Sequence, residues 1–145
     1  MISGRWYPEG EPPGEVMSLW REAFHWDDAR SGAFAARGDV ARAAVLFDAD
    51  GSLAAAGRMY YEDGAFWLEA VAVREDLRGQ GFGDLLTRMM LDRAFGHAAR
   101  EARLYAPEGC EGFFGRYGFQ VRTRGGEGAL MAVTAGEVRL GGRCG

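Results

Sequence analysis

The spacing of hydrophobic residues changes along the chain. Over about residues 15–24, apolar side chains recur every three or four positions, which predicts an amphipathic helix after a short strand around residues 2–6. Over residues 42–73 the apolar side chains form three β-type runs, separated by Asp-Gly turns at residues 48–51 and 62–64. Asp-Gly between such runs is a strong hairpin signal. We therefore expect an antiparallel meander of three strands.

The helical period returns after residue 83 and predicts a helix of about four turns. A strand in "ARLYAP", a short helix in "CEGFFGRYG" closed by Gly118, and strands in "FQVRT" and "ALMAV" should follow. A further short helix is predicted in "SGAFAARG". The strand, helix and strand across residues 66–107 form a crossover, so these two strands should be parallel. The expected fold class is α/β, with a mixed, mainly antiparallel central sheet and helices on both faces.

The composition is that of one globular domain. The 145 residues are 48% hydrophobic, enough for a single core, and we expect one domain over residues 1–145. Apolar runs are far shorter than the ~20 residues of a membrane span, and the first residues carry no apolar signal core. The chain is therefore expected to be cytoplasmic. A net charge of −4 without a basic run makes nucleic acid a poor partner.

The reactive residue types narrow the chemistry. All 17 cations are arginines, so a Schiff base and a lysine phosphate loop are excluded. Cys110 and Cys144 lack a CxxC spacing, and His25 and His97 stand apart. We therefore expect two free thiols, no disulfide framework and no metal site.

The segment "LRGQGFGD" combines a cation with three closely spaced glycines. Arg78 precedes Gly79, Gly81 and Gly83, and a helix is expected to begin at about the last of these. The backbone N–H groups and the positive end of the helix dipole would meet there, and glycine permits close approach of a ligand. This predicts a phosphate site, with a turn that only caps the helix as the alternative. A dinucleotide fingerprint is excluded, because Asp84 stands where GxGxxG requires glycine.

Two segments resemble the GNAT superfamily of acyl-CoA-dependent N-acetyltransferases. "VAVREDLRGQGFGDLLTRMM" resembles the pyrophosphate loop of that family, and "FFGRYGF" resembles its second motif, usually F-Y-x-x-x-G-F. The resemblance covers residues 40–133, leaving residues 1–39 as a variable acceptor-side region and 134–145 as a tail. It implies acetyl-CoA as co-substrate, bound without a metal.

The resemblance also implies which residues bind acetyl-CoA. The loop N–H groups would hold the pyrophosphate, and the pantetheine arm would run as a pseudo-strand where the sheet splays between its two parallel strands. Cys110 lies near the position where the family has a small residue that faces the cofactor. Packing is the more ordinary role for this cysteine. The implied cofactor-binding residues are Val71, Ala72, Val73, Arg78, Gly79, Gln80, Gly81, Phe82, Gly83, Asp84, Cys110 and Phe114.

Acetyl transfer to an amine requires a base, because an alkylamine has a pKa near ~10. Glu69 lies among apolar residues that would raise its pKa, and it matches an acidic position of some polyamine-acetylating family members. A strand-edge glutamate in solvent is the alternative. The tyrosine that often serves as the acid in the family is replaced here by Phe114. This leaves Tyr117 as the candidate acid, with packing as its alternative, and Tyr105 on the adjoining strand as a second candidate after it.

The expected function is an N-acetyltransferase for a primary amine of a small molecule or peptide. The rival is an acyl-CoA-binding sensor or interaction module without activity, which Phe114 favours, and a domain without ligand is a third alternative. Acidic side chains at residues 22, 27, 28, 62 and 63 favour a cationic amine, or are ordinary surface acids. The segment "EVRL" in the tail predicts an edge strand or a homodimer contact.

Overall fold

A computed structural model describes residues 1–8, 12–25, 41–126 and 128–140. Seven strands and three α-helices lie in this part of the chain, together with a 3-10 turn at Glu75–Leu77. The strands are β1 (Ser3–Pro8), β2 (Arg42–Phe47), β3 (Leu53–Glu62), β4 (Ala65–Val73), β5 (Glu101–Ala106), β6 (Gln120–Gly125) and β7 (Gly128–Thr134). The helices are α1 (Gly14–Phe24), α2 (Phe82–Gly96) and α3 (Glu111–Gly115).

The sheet is mixed, as the sequence predicted. Its strand order is β1-β2-β3-β4-β5-β7-β6. Strand β4 pairs with β5 in parallel, whereas the pairs β1–β2, β2–β3, β5–β7 and β6–β7 are antiparallel. The predicted crossover through α2 is therefore confirmed. Helix α2 begins one residue earlier than expected, and the helix predicted in "SGAFAARG" lies outside the described residues.

Both predicted hairpin turns form. Asp63 and Gly64 have φ angles of 55° and 78°, and two successive positive φ values define the turn that matches the twist of a two-residue hairpin. In the other turn Gly51 has φ 87°, and its N–H donates to the Asp48 carbonyl at 3.0 Å. The Asp48 carboxylate also accepts from the Ser52 N–H at 3.1 Å. Glycine and aspartate therefore set these turns by local geometry.

The chain forms two compact units, the first comprising Met1–Tyr60 and Glu69–Met90. In this unit Val16 and Trp20 of α1 pack with Ala56 of β3 in one buried cluster. The next residue, Gly57, faces α2, since a Cβ there would lie 2.8 Å from the Met90 sulfur. Successive residues of a strand point to opposite faces, so this part of the sheet carries a helix on each face.

The second unit comprises Tyr61–Leu68 and Leu91–Gly145. Its tail differs from the sequence prediction, because "EVRL" forms no edge strand in the described residues. The Glu137 N–H instead donates to the Thr134 carbonyl at 3.0 Å and closes a turn, and the Arg139 N–H donates to the Tyr117 carbonyl at 2.9 Å. These bonds turn the backbone away from the β7 ladder. The homodimer stays a prediction.

None of the helices in the described ranges is long and apolar enough to cross a membrane.

Candidate functional site

The glycine-rich loop presents an open stretch of main chain in the first unit. Gly79 and Gly81 have φ angles of 81° and 92°, in the left-handed region that L side chains rarely adopt. A Cβ at either position would meet no atom of the described residues within 4 Å. Gln80 between them is exposed. The described part of the chain therefore leaves this space open, and the two glycines set the backbone direction there.

Helix α2 starts directly from this loop. The Gly81 carbonyl accepts the Leu85 N–H at 3.0 Å, which makes it the first carbonyl of the helix ladder. The N–H groups of residues 82–84 consequently have no carbonyl one turn earlier within the helix. The Thr87 hydroxyl donates to the Gly83 carbonyl at 2.8 Å, and Phe82 is buried beneath the loop. The start of the helix is therefore anchored, with its polar end directed to the open side.

The charges at the loop are partly compensated. Arg88 donates to the Asp84 carboxylate at 3.0 Å in an i,i+4 pair. The pair reduces repulsion between Asp84 and an anion at the helix start. The Arg78 Nε–H donates to the Val73 carbonyl at 3.3 Å. Arg78 is exposed, so its guanidinium lies beside the loop with further donors available to an anion.

Arg74 stabilises the segment that leads into the loop through hydrogen bonds and ion pairs. Its guanidinium donates to the Leu53 carbonyl and to the Asp76 carboxylate, both at 2.7 Å, and lies 3.6 Å from Asp48. The hydrogen bond from Arg74 lowers the pKa of Asp76 below its usual value. The sequence did not predict these interactions of Arg74. The sequence does show an arginine between a strand and an acidic turn. It does not show the hydrogen bond to Leu53, because that carbonyl is 21 positions away in the chain.

Strand β4 contains a one-residue bulge. Near the hairpin turn, Tyr61 and Phe66 are directly opposite, with ring centroids 5.2 Å apart. Farther along, the Arg74 N–H donates to the Ala54 carbonyl at 2.8 Å, so the register has shifted by one residue. The extra residue is Ala70, whose φ of 58° is unusual for a residue other than glycine. Such backbone strain is concentrated at functional sites in proteins.

Glu69 directly precedes this bulge in the first unit. Its side chain is half-buried and its Oε1 atom is buried. Val71 and Val73 are half-buried, and Ala72 between them packs with the α1 cluster. The parallel ladder from β4 to β5 comprises Phe66↔Ala102 and Trp67↔Arg103, whereas β4 continues to Val73. The acidic candidate and the predicted pantetheine segment thus share one stretch of strand with the bulge.

The remaining predicted residues belong to the second unit. Cys110 is half-buried and precedes α3, and Phe114 is buried with its ring 5.0 Å from Phe113 and 6.0 Å from Phe119. Tyr117 is 1% exposed, and its ring lies 5.7 Å from Phe113. That burial agrees with the packing alternative for Tyr117, and the catalytic role stays a prediction.

No group of three or more His, Cys, Asp or Glu side chains suited to a metal ion occurs in the described ranges. Cys144 lies outside them.

Comparison with known proteins places the chain in a family. The Acetyltransferase (GNAT) family model matches residues 6–119. No curated protein matches the chain. An acyl-CoA N-acyltransferase from Pseudomonas aeruginosa is 18% identical with a TM-score of 0.73, over 91% of this chain and 97% of that protein.

Two other similar structures contain a bound ligand. A GNAT family acetyltransferase from Brucella melitensis in complex with acetyl-CoA is 19% identical, with a TM-score of 0.69 over 96% of this chain and 91% of that protein. The PaiA N-acetyltransferase from Thermoplasma acidophilum in complex with coenzyme A is 13% identical, with a TM-score of 0.67 over 92% and 99%. At these identities the likeness shows the fold, whereas the family model matches the sequence over most of its length. The chain belongs to the GNAT acetyltransferase family.

Proposed function

We propose that this protein transfers an acetyl group from acetyl-CoA to a primary amine of a small molecule or peptide. The observation that carries the proposal is the open backbone at Gly79 and Gly81, followed at once by the start of α2. Main-chain N–H groups at such a position suit a diphosphate. The acetyl-CoA and coenzyme A in the Brucella and Thermoplasma structures support the same ligand class.

The pantetheine arm is proposed to bind along Val71 to Val73. An extended amide chain adds to a strand through alternating main-chain hydrogen bonds. Because the ladder to β5 comprises pairs at Phe66 and Trp67, residues farther along β4 are suited to accept this arm. Bound acetyl-CoA supplies the acetyl group as an activated thioester.

Glu69 is proposed as the general base, directly or through one water. An alkylamine with a pKa near ~10 is mostly protonated at neutral pH and is then not nucleophilic. The Glu69 carboxylate removes a proton, so that the amine nitrogen forms a bond to the acetyl carbon while the carbon–sulfur bond breaks. Its position beside the bulge at Ala70 supports this role.

The departing thiolate has a conjugate acid with a pKa near ~8.5, so it leaves without an obligatory proton donor. Phe114 has no proton to give, and Tyr117 is the proposed donor if one is used. Absence of a donor would cost roughly 10² in rate. Transferase activity is therefore compatible with phenylalanine at position 114.

A cationic acceptor amine is favoured by acidic side chains. Glu22, Glu62 and Asp63 are exposed, whereas Asp27 and Asp28 lie outside the described residues. Exposed acids attract a cation over a distance of about 8 to 10 Å at ordinary salt.

The experiment is an amine screen with acetyl-CoA, scored by release of free thiol, with Glu69→Gln beside the parent. Glu69→Gln should bind acetyl-CoA with nearly unchanged affinity, lower the rate by about 10² or more, and remove the acidic limb of the pH profile. Glu75→Gln is the matched control, since Glu75 is an exposed glutamate next to the loop. It should behave as the parent.

Phe114→Tyr completes the comparison, because it introduces a hydroxyl where the family often has one. We expect it to be neutral or mildly activating. Equal rates for Glu69→Gln and the parent at every pH would remove Glu69 as the base. A parent that binds acetyl-CoA and acetylates no amine in the screen would favour the second candidate function, an acyl-CoA sensor, to which Phe114 points.

A further inference from the structure

Arg74 joins the end of β4 to the start of β3. Strand β4 ends at Val73, and Arg74 follows it. The Arg74 N–H donates to the Ala54 carbonyl at 2.8 Å, and its Nη1–H donates to the Leu53 carbonyl at 2.7 Å. Two successive carbonyls of β3 therefore accept from one residue, through its main chain and through its side chain. This fixes the point at which the chain leaves the sheet.

The same guanidinium holds the 3-10 turn that comes next. Its Nε–H donates to the Asp76 carboxylate at 2.7 Å, and its Nη2–H donates to the other oxygen of that carboxylate at 3.3 Å. Such a fork of two hydrogen bonds fixes the orientation of the carboxylate as well as its distance. Within the turn the Leu77 N–H donates to the Arg74 carbonyl at 2.9 Å. The side chain and the main chain of Arg74 thus both define this turn.

The turn between β2 and β3 supplies a further acceptor. The Arg74 Nη2 atom lies 3.6 Å from the Asp48 carboxylate. That carboxylate also accepts the N–H groups of Asp50 and Ser52, both at 3.1 Å, so it is fixed by its own turn. All three nitrogen atoms of the Arg74 guanidinium are therefore engaged by the protein. Arg74 belongs to a network, whereas an isolated ion pair at the surface would order little.

The glycine-rich loop takes its direction from its two ends. Gly79 and Gly81 have positive φ angles, and glycine restricts the backbone least of all residues. At the far end, the Gly81 carbonyl accepts the Leu85 N–H and belongs to the ladder of α2. At the near end, the Arg78 N–H donates to the Glu75 carbonyl at 3.4 Å and connects the loop to the 3-10 turn. The contacts that fix this turn consequently fix where the loop begins.

We propose that Arg74 is a positioning residue for acetyl-CoA, which orders the 3-10 turn so that the glycine-rich loop holds its binding conformation before the ligand arrives. The inference rests on the proposed function, which makes acetyl-CoA the ligand of this loop. Arg74 acts without touching the ligand, and Arg78 is the arginine that meets it. A protein whose competent conformation is only partly populated has a Kd raised in inverse proportion to that population. Arg74 should therefore act on the affinity for acetyl-CoA and leave the chemical step unchanged.

The test is calorimetric titration of the full-length protein with acetyl-CoA. Arg74→Met removes the guanidinium and should raise Kd by about tenfold, which corresponds to a loop that is competent about a tenth of the time. Arg74→Lys keeps the charge without the fork, so its Kd should lie between those of the parent and Arg74→Met. Arg122→Met is the matched control. Arg122 donates to the Glu101 carboxylate at 3.2 Å in the second unit, and its loss should leave Kd unchanged.

A double-mutant cycle tests whether Arg74 acts through the turn. Asp76→Asn should raise Kd by less than about tenfold, because asparagine still accepts a weaker bond. In the Arg74→Met background the same change should have almost no further effect, since the bond is already lost. Additive effects on Kd, or an unchanged Kd in folded Arg74→Met, overturn the proposal. An equal loss in Arg122→Met also overturns it, because the effect is then one of stability. If Arg74→Met does not fold, an unchanged Kd in both Arg74→Lys and Asp76→Asn overturns it.

Amide hydrogen exchange of the ligand-free protein gives a readout that does not depend on binding. The Leu77 N–H is bonded to the Arg74 carbonyl, and the Leu85 N–H is bonded to the Gly81 carbonyl. In Arg74→Met the Leu77 N–H should exchange about tenfold faster, whereas the Leu85 N–H, inside α2, should change less. An unchanged exchange rate at Leu77 overturns the ordering of the turn by Arg74.

Steady-state kinetics separate this inference from the proposed function. In Arg74→Met, KM for acetyl-CoA should rise while kcat and the KM for the amine keep the parent values, a split that a general loss of stability would not produce. Faster exchange at Leu77 with unchanged acetyl-CoA affinity overturns the positioning role and leaves the transferase intact. A parent that binds acetyl-CoA but acetylates no amine removes the transferase, and the calorimetric results then still decide the role of Arg74.

Discussion

Replacement of Gly81 by valine should abolish most acetyl-CoA binding while the protein remains folded. The φ of 92° costs an L residue about 1 to 2 kcal/mol, and a β-branched side chain lies at the upper end of that range. No atom in residues 1–8, 12–25, 41–126 or 128–140 lies within 4 Å of the new Cβ, so these residues add no clash to this cost in the free protein. The side chain instead occupies the space that the diphosphate needs.

The loss of affinity follows from the main-chain contacts that valine would block. A hydrogen bond to a charged group contributes about 1.5 to 3 kcal/mol, so losing two costs about 3 to 6 kcal/mol. This corresponds to roughly 10² to 10⁴ in Kd. Arg78→Ala should weaken binding by only about tenfold, because its guanidinium is exposed and one N–H is already donated to Val73.

Gly51→Val is the matched control for strain. Gly51 has φ 87°, no atom within 4 Å of its Cβ position, and a place in the β2–β3 turn instead of the loop. Both variants should lose similar unfolding free energy in urea, but only Gly81→Val should lose acetyl-CoA affinity by calorimetry. Unchanged affinity in folded Gly81→Val would refute the assignment of the loop, and equal losses in both variants would attribute the effect to stability.

Two further predictions concern stability in the second unit. The hydrogen bond from Arg103 lowers the pKa of Glu101 below its ordinary value near 4.5, so this pair stabilises the fold above that pH and the contribution disappears as pH falls. The urea midpoints of Glu101→Gln and the parent should therefore differ at pH 7 and converge in acid. Gly118→Ala should destabilise by more than about 2 kcal/mol, since φ is 99° and the Cβ would lie 2.5 Å from the Glu137 carbonyl oxygen. Thermal melts can compare it with Gly112→Ala, which lies in α3 with open space around it and should be neutral or stabilising.

The sequence alone determined the elements that depend on local chemistry. Asp-Gly pairs specify the two hairpin turns, because few other residues adopt positive φ at low cost, and alternating apolar residues specify the strands between them. The loop at Gly79 and Gly81 was also predicted from the sequence, since glycine is the residue that adopts positive φ and lets a ligand approach the main chain. The crossover then followed from the order of strand, helix and strand.

The tertiary structure decided the features that depend on residues far apart in the chain. Ala70 carries no sequence signal for a left-handed φ, and the register shift there follows from how β4 pairs with β3. The sequence of β3 does not show that Arg58 is buried, or that α1 brings the Trp20 ring to 5.3 Å from the Arg58 guanidinium carbon. Of the two alternatives predicted for the tail, the edge strand was wrong, because the hydrogen bonds of its described residues go to Thr134 and Tyr117 instead of a neighbouring strand. Burial and register are nonlocal quantities, so the partners of a buried charge and the bonds of a tail are set only once the sheet has assembled.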